Sequence, residues 1–190
     1  MKKIFVVSVF LVSWVSILFA KQAANYPYIQ SGLDGFYYVR SIPEDNWIQK
    51  GYTEVYKVGK ETDELIDTYN WYSRGQLFLG WSPKIGKVAV ISLEDKENPM
   101  QEELKPKKYR LSFYLGGKHL RTYTSKDLSE MGLIREVVLS YGVPGDFKII
   151  GVQQIPGTND NDYVFSLQKE DNSKIISFDI TTGELYQIKK

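Results

Sequence analysis

The sequence predicts an all-β protein: antiparallel meanders stacked as a sandwich or as incomplete propeller-like sheets, with one short helix near 125–131. Three observations carry that prediction. Apolar and polar residues alternate with a period of two along most of the chain, and successive side chains of a strand point to opposite faces. The alternating runs are rich in Val, Ile, Thr, Tyr and Phe, which suit a pleated, half-buried surface. Gly, Asn and Asp recur between the runs as turn formers.

Taken in order, strands are expected at 36–40, 52–58, 64–72, 76–81, 87–93, 109–115, 118–124, 147–154, 163–168, 174–180 and 185–189. The helix follows the seventh of these. Ser125 is the expected cap, because its hydroxyl can accept a hydrogen bond from a first-turn amide that has no helical partner. Gly132 is expected to end the helix.

Three hairpins can be registered from their turns. Gly116-Gly117 suits a two-residue turn whose central positions both take positive φ. That turn sets Leu115 opposite Lys118, Phe113 opposite Leu120 and Leu111 opposite Thr122 on the buried side. The other side then pairs Tyr114 with His119, Ser112 with Arg121 and Arg110 with Tyr123. A turn at Asp171-Asn172 pairs Leu167 with Ile176, Phe165 with Phe178 and Tyr163 with Ile180. A one-residue slip would put all of these in water, which fixes the register. A three-residue turn, Thr181-Thr182-Gly183, sets Phe178 opposite Tyr186 and Ile176 opposite Ile188. The meander over 163–189 thus has one apolar face, which must pack on another layer.

The ends and charges bound the class of protein. Met1-Lys2-Lys3, the apolar run Ile4 to Phe19 and Ala20 form a basic start, an apolar core and a small residue. This is the pattern of a secretory signal peptide over 1–20. The run is short for a bilayer span, which needs about 20 apolar residues. The expected mature part, 21–190, is one all-β domain, with no membrane span after cleavage and an exported, periplasmic or extracellular destination. The chain carries 24 Lys and Arg against 23 Asp and Glu. A nucleic-acid binder should show a strong basic excess, so that class is set aside. There is no cysteine, which excludes disulfides, thiolate metal sites and a lipid-modified cysteine anchor. The stretch from Glu94 to Lys108 is charged and broken by Pro99 and Pro106. It is read as a long surface loop within one domain.

Two segments carry a resemblance. Gly116-Gly117-Lys118-His119-Leu120-Arg121-Thr122-Tyr123-Thr124-Ser125-Lys126-Asp127-Leu128 forms a hairpin leading into a helix start. Phe178-Asp179-Ile180-Thr181-Thr182-Gly183-Glu184-Leu185 is similar to the closing turn of many propeller blades. Together they resemble uncharacterised bacterial exported proteins rich in propeller-blade-like hairpins. The resemblance covers about an eighth of the chain and implies structure only, with no catalytic residue to carry over. A closed propeller needs at least four blades of about 40–45 residues. The chain is too short for that, so an open stack or a sandwich is expected.

Candidate chemistry is sparse. His119 is the only histidine, whereas a histidine zinc site usually uses two or more; no metal site is expected. A Ser-His-Asp triad would have to use His119. The nearest elbow-like stretch, Gly80-Trp81-Ser82-Pro83-Lys84, has Lys84 where the motif needs Gly, and Pro83 lacks the required amide. Gly157-Thr158-Asn159-Asp160-Asn161-Asp162 reads as a turn loop, since it lacks the EF-hand order of Ca²⁺ ligands. No cofactor is expected.

The aromatics are more informative. Tyr69, Trp71, Tyr72 and Trp81 cluster in sequence, and Tyr26, Tyr28, Tyr37, Tyr38 and Trp47 precede them. Each offers a flat apolar face with a polar handle, suited to cores and to binding alike. Trp71, Tyr72 and Trp81 are carried forward as binding candidates. So is the outward side of the 109–124 hairpin: Arg110, Tyr114, His119, Arg121 and Tyr123. The expected function is a non-catalytic exported binding or interaction protein of the bacterial envelope or exterior, its partner a protein or an envelope glycan. The alternative is a carboxylate-dependent hydrolase acting on an envelope glycan.

Overall fold

Each alternating run pairs with its neighbour in sequence, so the chain forms three consecutive antiparallel meanders. The computed structural model describes residues 27–32, 34–44, 51–73, 75–95, 109–134, 147–155 and 163–186. The first sheet holds β1 (Tyr28–Ser31), β2 (Tyr37–Ile42), β3 (Tyr52–Lys57) and β4 (Glu64–Tyr69). The second holds β5 (Gln76–Ser82), β6 (Lys87–Asp95), β7 (Tyr109–Leu115) and β8 (Lys118–Thr124). The third holds β9 (Phe147–Gln154), β10 (Tyr163–Lys169) and β11 (Ile175–Asp179). One six-residue helix, α1 (Ser125–Glu130), follows β8.

The second sheet lies between the other two. Its strand β6 shows why: Val88, Ala89, Val90 and Ile91 are all fully buried, so both faces of the strand are covered. A continuous apolar run is the mark of such a strand. Val88 and Val90 pack with Val39, Val55, Leu77 and Leu79 against the first sheet. Ala89, Ile91 and Leu93 pack with Phe113, Phe165, Leu167 and Phe178 against the third. Strand β5 touches β1 and β2 on one side and β9 and β10 on the other. The leading strands of the meanders therefore lie along one flank of the stack.

The expected strands at 109–115, 118–124 and 147–154 have those bounds. Strand β1, four residues long, was not foreseen. The pairing of β10 with β11 is as expected, with Phe165 opposite Phe178 and Leu167 opposite Ile176. Phe165, Leu167 and Phe178 are fully buried. Across the 96–108 connection, β6 and β7 pair directly from Ala89↔Leu115 to Asp95↔Tyr109.

Three expectations are corrected. In the 109–124 hairpin, Gly116 and Gly117 both take positive φ, 56° and 75°, and Leu115↔Lys118 and Tyr114↔His119 pair as expected. A bulge then takes up Leu120, and the register becomes Phe113↔Arg121, Ser112↔Thr122, Leu111↔Tyr123 and Arg110↔Thr124. One extra residue reverses the alternation, so Tyr123 and Arg121 turn to the third sheet. The helix is capped by Thr124, not Ser125. The Asp127 amide donates to Thr124 Oγ1 at 3.4 Å, and the Thr124 amide donates to the Asp127 carboxylate at 2.7 Å. This reciprocal capping box leaves the Ser125 hydroxyl to accept from the Tyr109 amide at 2.6 Å. Finally, Phe178 faces Leu185, not Tyr186. The tight turn, in which the Gly183 amide donates to Asp179 O at 2.8 Å, shortens the return by one residue. The Ile176–Ile188 pairing lies outside the described residues.

Candidate binding cleft

The stack opens into a cleft of about 310 Å³ where β5 meets its neighbours on the leading flank. The cleft wraps the free edge of β5. Gly32, Asp34 and Tyr37 contribute from the first sheet, Leu79 to Trp81 and Val88 from the second, and Val152 to Gln154 and Tyr163 from the third. Gly80 sets its depth. A Cβ there would stand 2.8 Å from Ile180 Cδ1 and 3.0 Å from Val152 Cγ1, so a larger residue would have to displace these side chains of the third sheet.

One wall is aromatic. Tyr37 and Trp81 stack with centroids 5.3 Å apart and planes 11° from parallel. The rim is polar. Asp34 is held by its own turn, its Oδ1 accepting the Phe36 amide at 3.0 Å. Gln153 turns its carboxamide to the outer face of the third sheet, where Nε2 donates to the Ser166 hydroxyl at 3.0 Å and Ser166 shares a second bond with Ser177 at 2.8 Å. Burial first, then the Asp34 and Glu64 carboxylates, raises the Tyr37 pKa above its ordinary value. Its hydroxyl therefore remains a proton donor at neutral pH. A flat wall with a carboxylate and a phenol beside it suits a ligand that has both an apolar face and hydroxyl groups.

Of the binding candidates carried forward from the sequence, only Trp81 lines this cleft; Tyr37, named there among the aromatics, stands beside it. Trp71, Tyr114 and His119 meet elsewhere. Trp71 and Tyr114 lie 4.7 Å apart, Tyr114 and His119 5.3 Å, and Tyr69 packs on both Trp71 and Tyr114. Tyr69, Trp71 and Tyr114 lie in the seam between the first two sheets, and His119 is exposed beside Tyr114. His119 Nε2 shares a 2.7 Å hydrogen bond with Thr122 Oγ1, which makes it part of the hairpin's own network. Tyr72 is half-buried beside Gly51.

The five hairpin candidates do not share a face. Tyr123 is only 7% exposed, and its hydroxyl donates to Gly183 O at 2.8 Å. Arg121 turns the same way and pairs with Glu184 at 3.0 Å. Arg110 is exposed on the opposite side. The proposed surface is therefore broken by the bulge at Leu120. The bulged register buries Tyr123 and sets Thr122 opposite Ser112, a placement the bare alternation does not carry.

Gly80 to Lys84 run through the end of β5 into a hairpin turn, with the Gly86 amide donating to Ser82 O at 2.9 Å. This is not the strand-to-helix turn of a nucleophile elbow. Residues 1–20 and 157–162 lie outside the described residues, as do Tyr26 and Trp47. A comparison with protein-family models, characterised proteins and solved structures gives no match.

Proposed function

We propose that this chain is a non-catalytic exported binding protein whose cleft holds a segment of an envelope glycan. The stacked Tyr37–Trp81 pair carries the reading. Sugar rings present an apolar C–H face and a girdle of hydroxyls, and aromatic walls with polar rims match that division. Export rests on the basic start, the apolar run and Ala20. Asp34 is the only carboxylate among the described lining residues. Glycoside hydrolysis normally uses a pair about 5–10 Å apart, and the reading of binding rests on the aromatic wall.

The test is calorimetric titration of the chain from Lys21 onward with soluble glycan fragments from digested peptidoglycan. Saturable binding that is lost in Tyr37→Ala and weakened in Asp34→Asn is expected. Binding left intact by both substitutions, or absent in the parent chain, overturns the proposal. Release of reducing ends during the titration would favour the hydrolase instead.

A further inference from the structure

The outer face of the first sheet points to a second copy of this chain. On this face Tyr38, Arg40 and Ile42 of β2 lie opposite Tyr56, Glu54 and Tyr52 of β3. They alternate with Val39, Ser41, Thr53 and Val55, which are fully buried on the inner side. Ile29 and Leu65 flank them, 64% and 51% exposed.

The polar atoms of the face are already satisfied within the chain. Arg40 donates to Glu54 Oε2 through Nη2 at 2.6 Å and Nε at 3.2 Å. The Tyr56 hydroxyl donates to the same oxygen at 2.8 Å, and the Tyr38 hydroxyl donates to Asp63 at 2.8 Å. Tyr38 and Tyr56 stack at 5.1 Å. A partner meets flat aromatic surface and one neutralised charge pair. Tyr and Arg are the residues enriched at interface cores.

The register makes this face complementary to itself. Consider a two-fold axis lying in the plane of contact, parallel to the strands and midway between β2 and β3. It carries each β2 residue onto the β3 residue that it pairs with. Arg40 of one copy then faces Glu54 of the other, and Tyr38 faces Tyr56, twice over. A C2 contact needs this kind of reciprocity. Four strands of about six residues give a planar footprint of roughly 400 Å² per copy, from spacings of about 4.8 and 3.3 Å. That is at the small end for protein contacts and fits a weak dimer. We infer that this chain self-associates through the outer face of its first sheet, with each internal Arg40–Glu54 pair facing the reversed pair of the other copy across the axis. This inference is independent of the cleft.

Charge exchange tests it. Arg40→Glu makes both central groups acidic, and Glu54→Arg makes both basic. Each variant alone should sediment as a monomer at about 0.1 mM, where the parent chain shows dimer. An equimolar mixture of the two should recover the dimer, because every pair across the axis is again opposite in sign. A purely internal role for the Arg40–Glu54 bond would give no such recovery. Should either variant lose its β-sheet circular dichroism, Ile29→Lys with Leu65→Lys takes its place. Both positions are exposed, so this variant should keep its melting temperature and lose the dimer. A monomeric parent at that concentration, a mixture of folded variants that stays monomeric, or a dimer unaffected by the double lysine change overturns the inference. The first two results are also those expected if another segment of the chain, or a different protein, covers this face.

Discussion

The two seams that hold the stack together are built differently. Between the second and third sheets the contact is large and apolar: Phe113, Phe165, Phe178, Leu111, Leu128 and Ile180 are all fully buried. Between the first and second sheets the aliphatic residues Val39, Val55, Val88 and Val90 meet the rings of Tyr69, Trp71 and Tyr114, and buried hydroxyls are interleaved with them. Ser41 bonds Thr53 at 2.9 Å and accepts the Ser73 amide at 3.2 Å; Ser73 bonds Ser92 at 3.1 Å, and Ser112 bonds Thr122 at 2.8 Å. The first kind of seam gains from area removed from water, about 25 cal/mol per Å². The second gains little net free energy from each hydrogen bond but is costly to mispair. The seam between the second and third sheets, the lower seam, supplies stability, and the seam between the first and second, the upper seam, fixes position, which the cleft walled by Tyr37 and Trp81 requires.

The largest expected effect lies in the lower seam. Phe178→Ala should destabilise the protein by about 3–5 kcal/mol through lost burial and a residual cavity, measured by chemical denaturation. A loss under about 1 kcal/mol would erase the contrast between the seams. Gly80→Leu, at the point where both seams meet β5, should cost about 1–3 kcal/mol through overpacking on Ile180 and Val152. It should also weaken glycan binding more than its stability loss explains, as titration of the folded variant would show.

In the upper seam Ser41→Ala should cost about 1 kcal/mol or slightly more, because the buried Ser73 amide loses its acceptor. Denaturation of this variant and of Phe178→Ala should separate the two seams by a factor of about three. The upper seam should also respond to alkali. Burial pushes the Tyr28 hydroxyl up to about 12 from its ordinary value of 10, and it raises Tyr69 further. In both cases the folded state holds the proton more tightly than the unfolded state. This stabilisation is complete below pH about 10 and declines as the pH rises through about 12. Tyr28→Phe should flatten the fall, read as melting temperature against pH.

The lower seam was legible in the sequence because its hairpins are pinned by turns. Gly116-Gly117 and Asp171-Asn172 fix the strand pairs, and the apolar face of 163–180 permits one register only. The β8 bulge was not legible: His119, Arg121 and Tyr123 alternate as cleanly as Leu120 and Thr122, and the contact that the bulged register makes, Tyr123 on Phe178 at 4.9 Å, joins segments far apart in the chain. The cleft was hidden for another reason. It joins segments near 32–37, 79–88 and 152–163, whose proximity follows from sheet stacking and not from any local pattern. Trp81 could be singled out as an aromatic; its pairing with Tyr37 could not.

Hydrogen exchange with and without peptidoglycan glycan fragments tests the central claim most directly. The account predicts added protection at three separate places together: Gly32 to Tyr37, Leu79 to Trp81, and Val152 to Gln154. Protection confined to the Trp71–Tyr114–His119 cluster, or to one sheet alone, would contradict a binding site shared by all three.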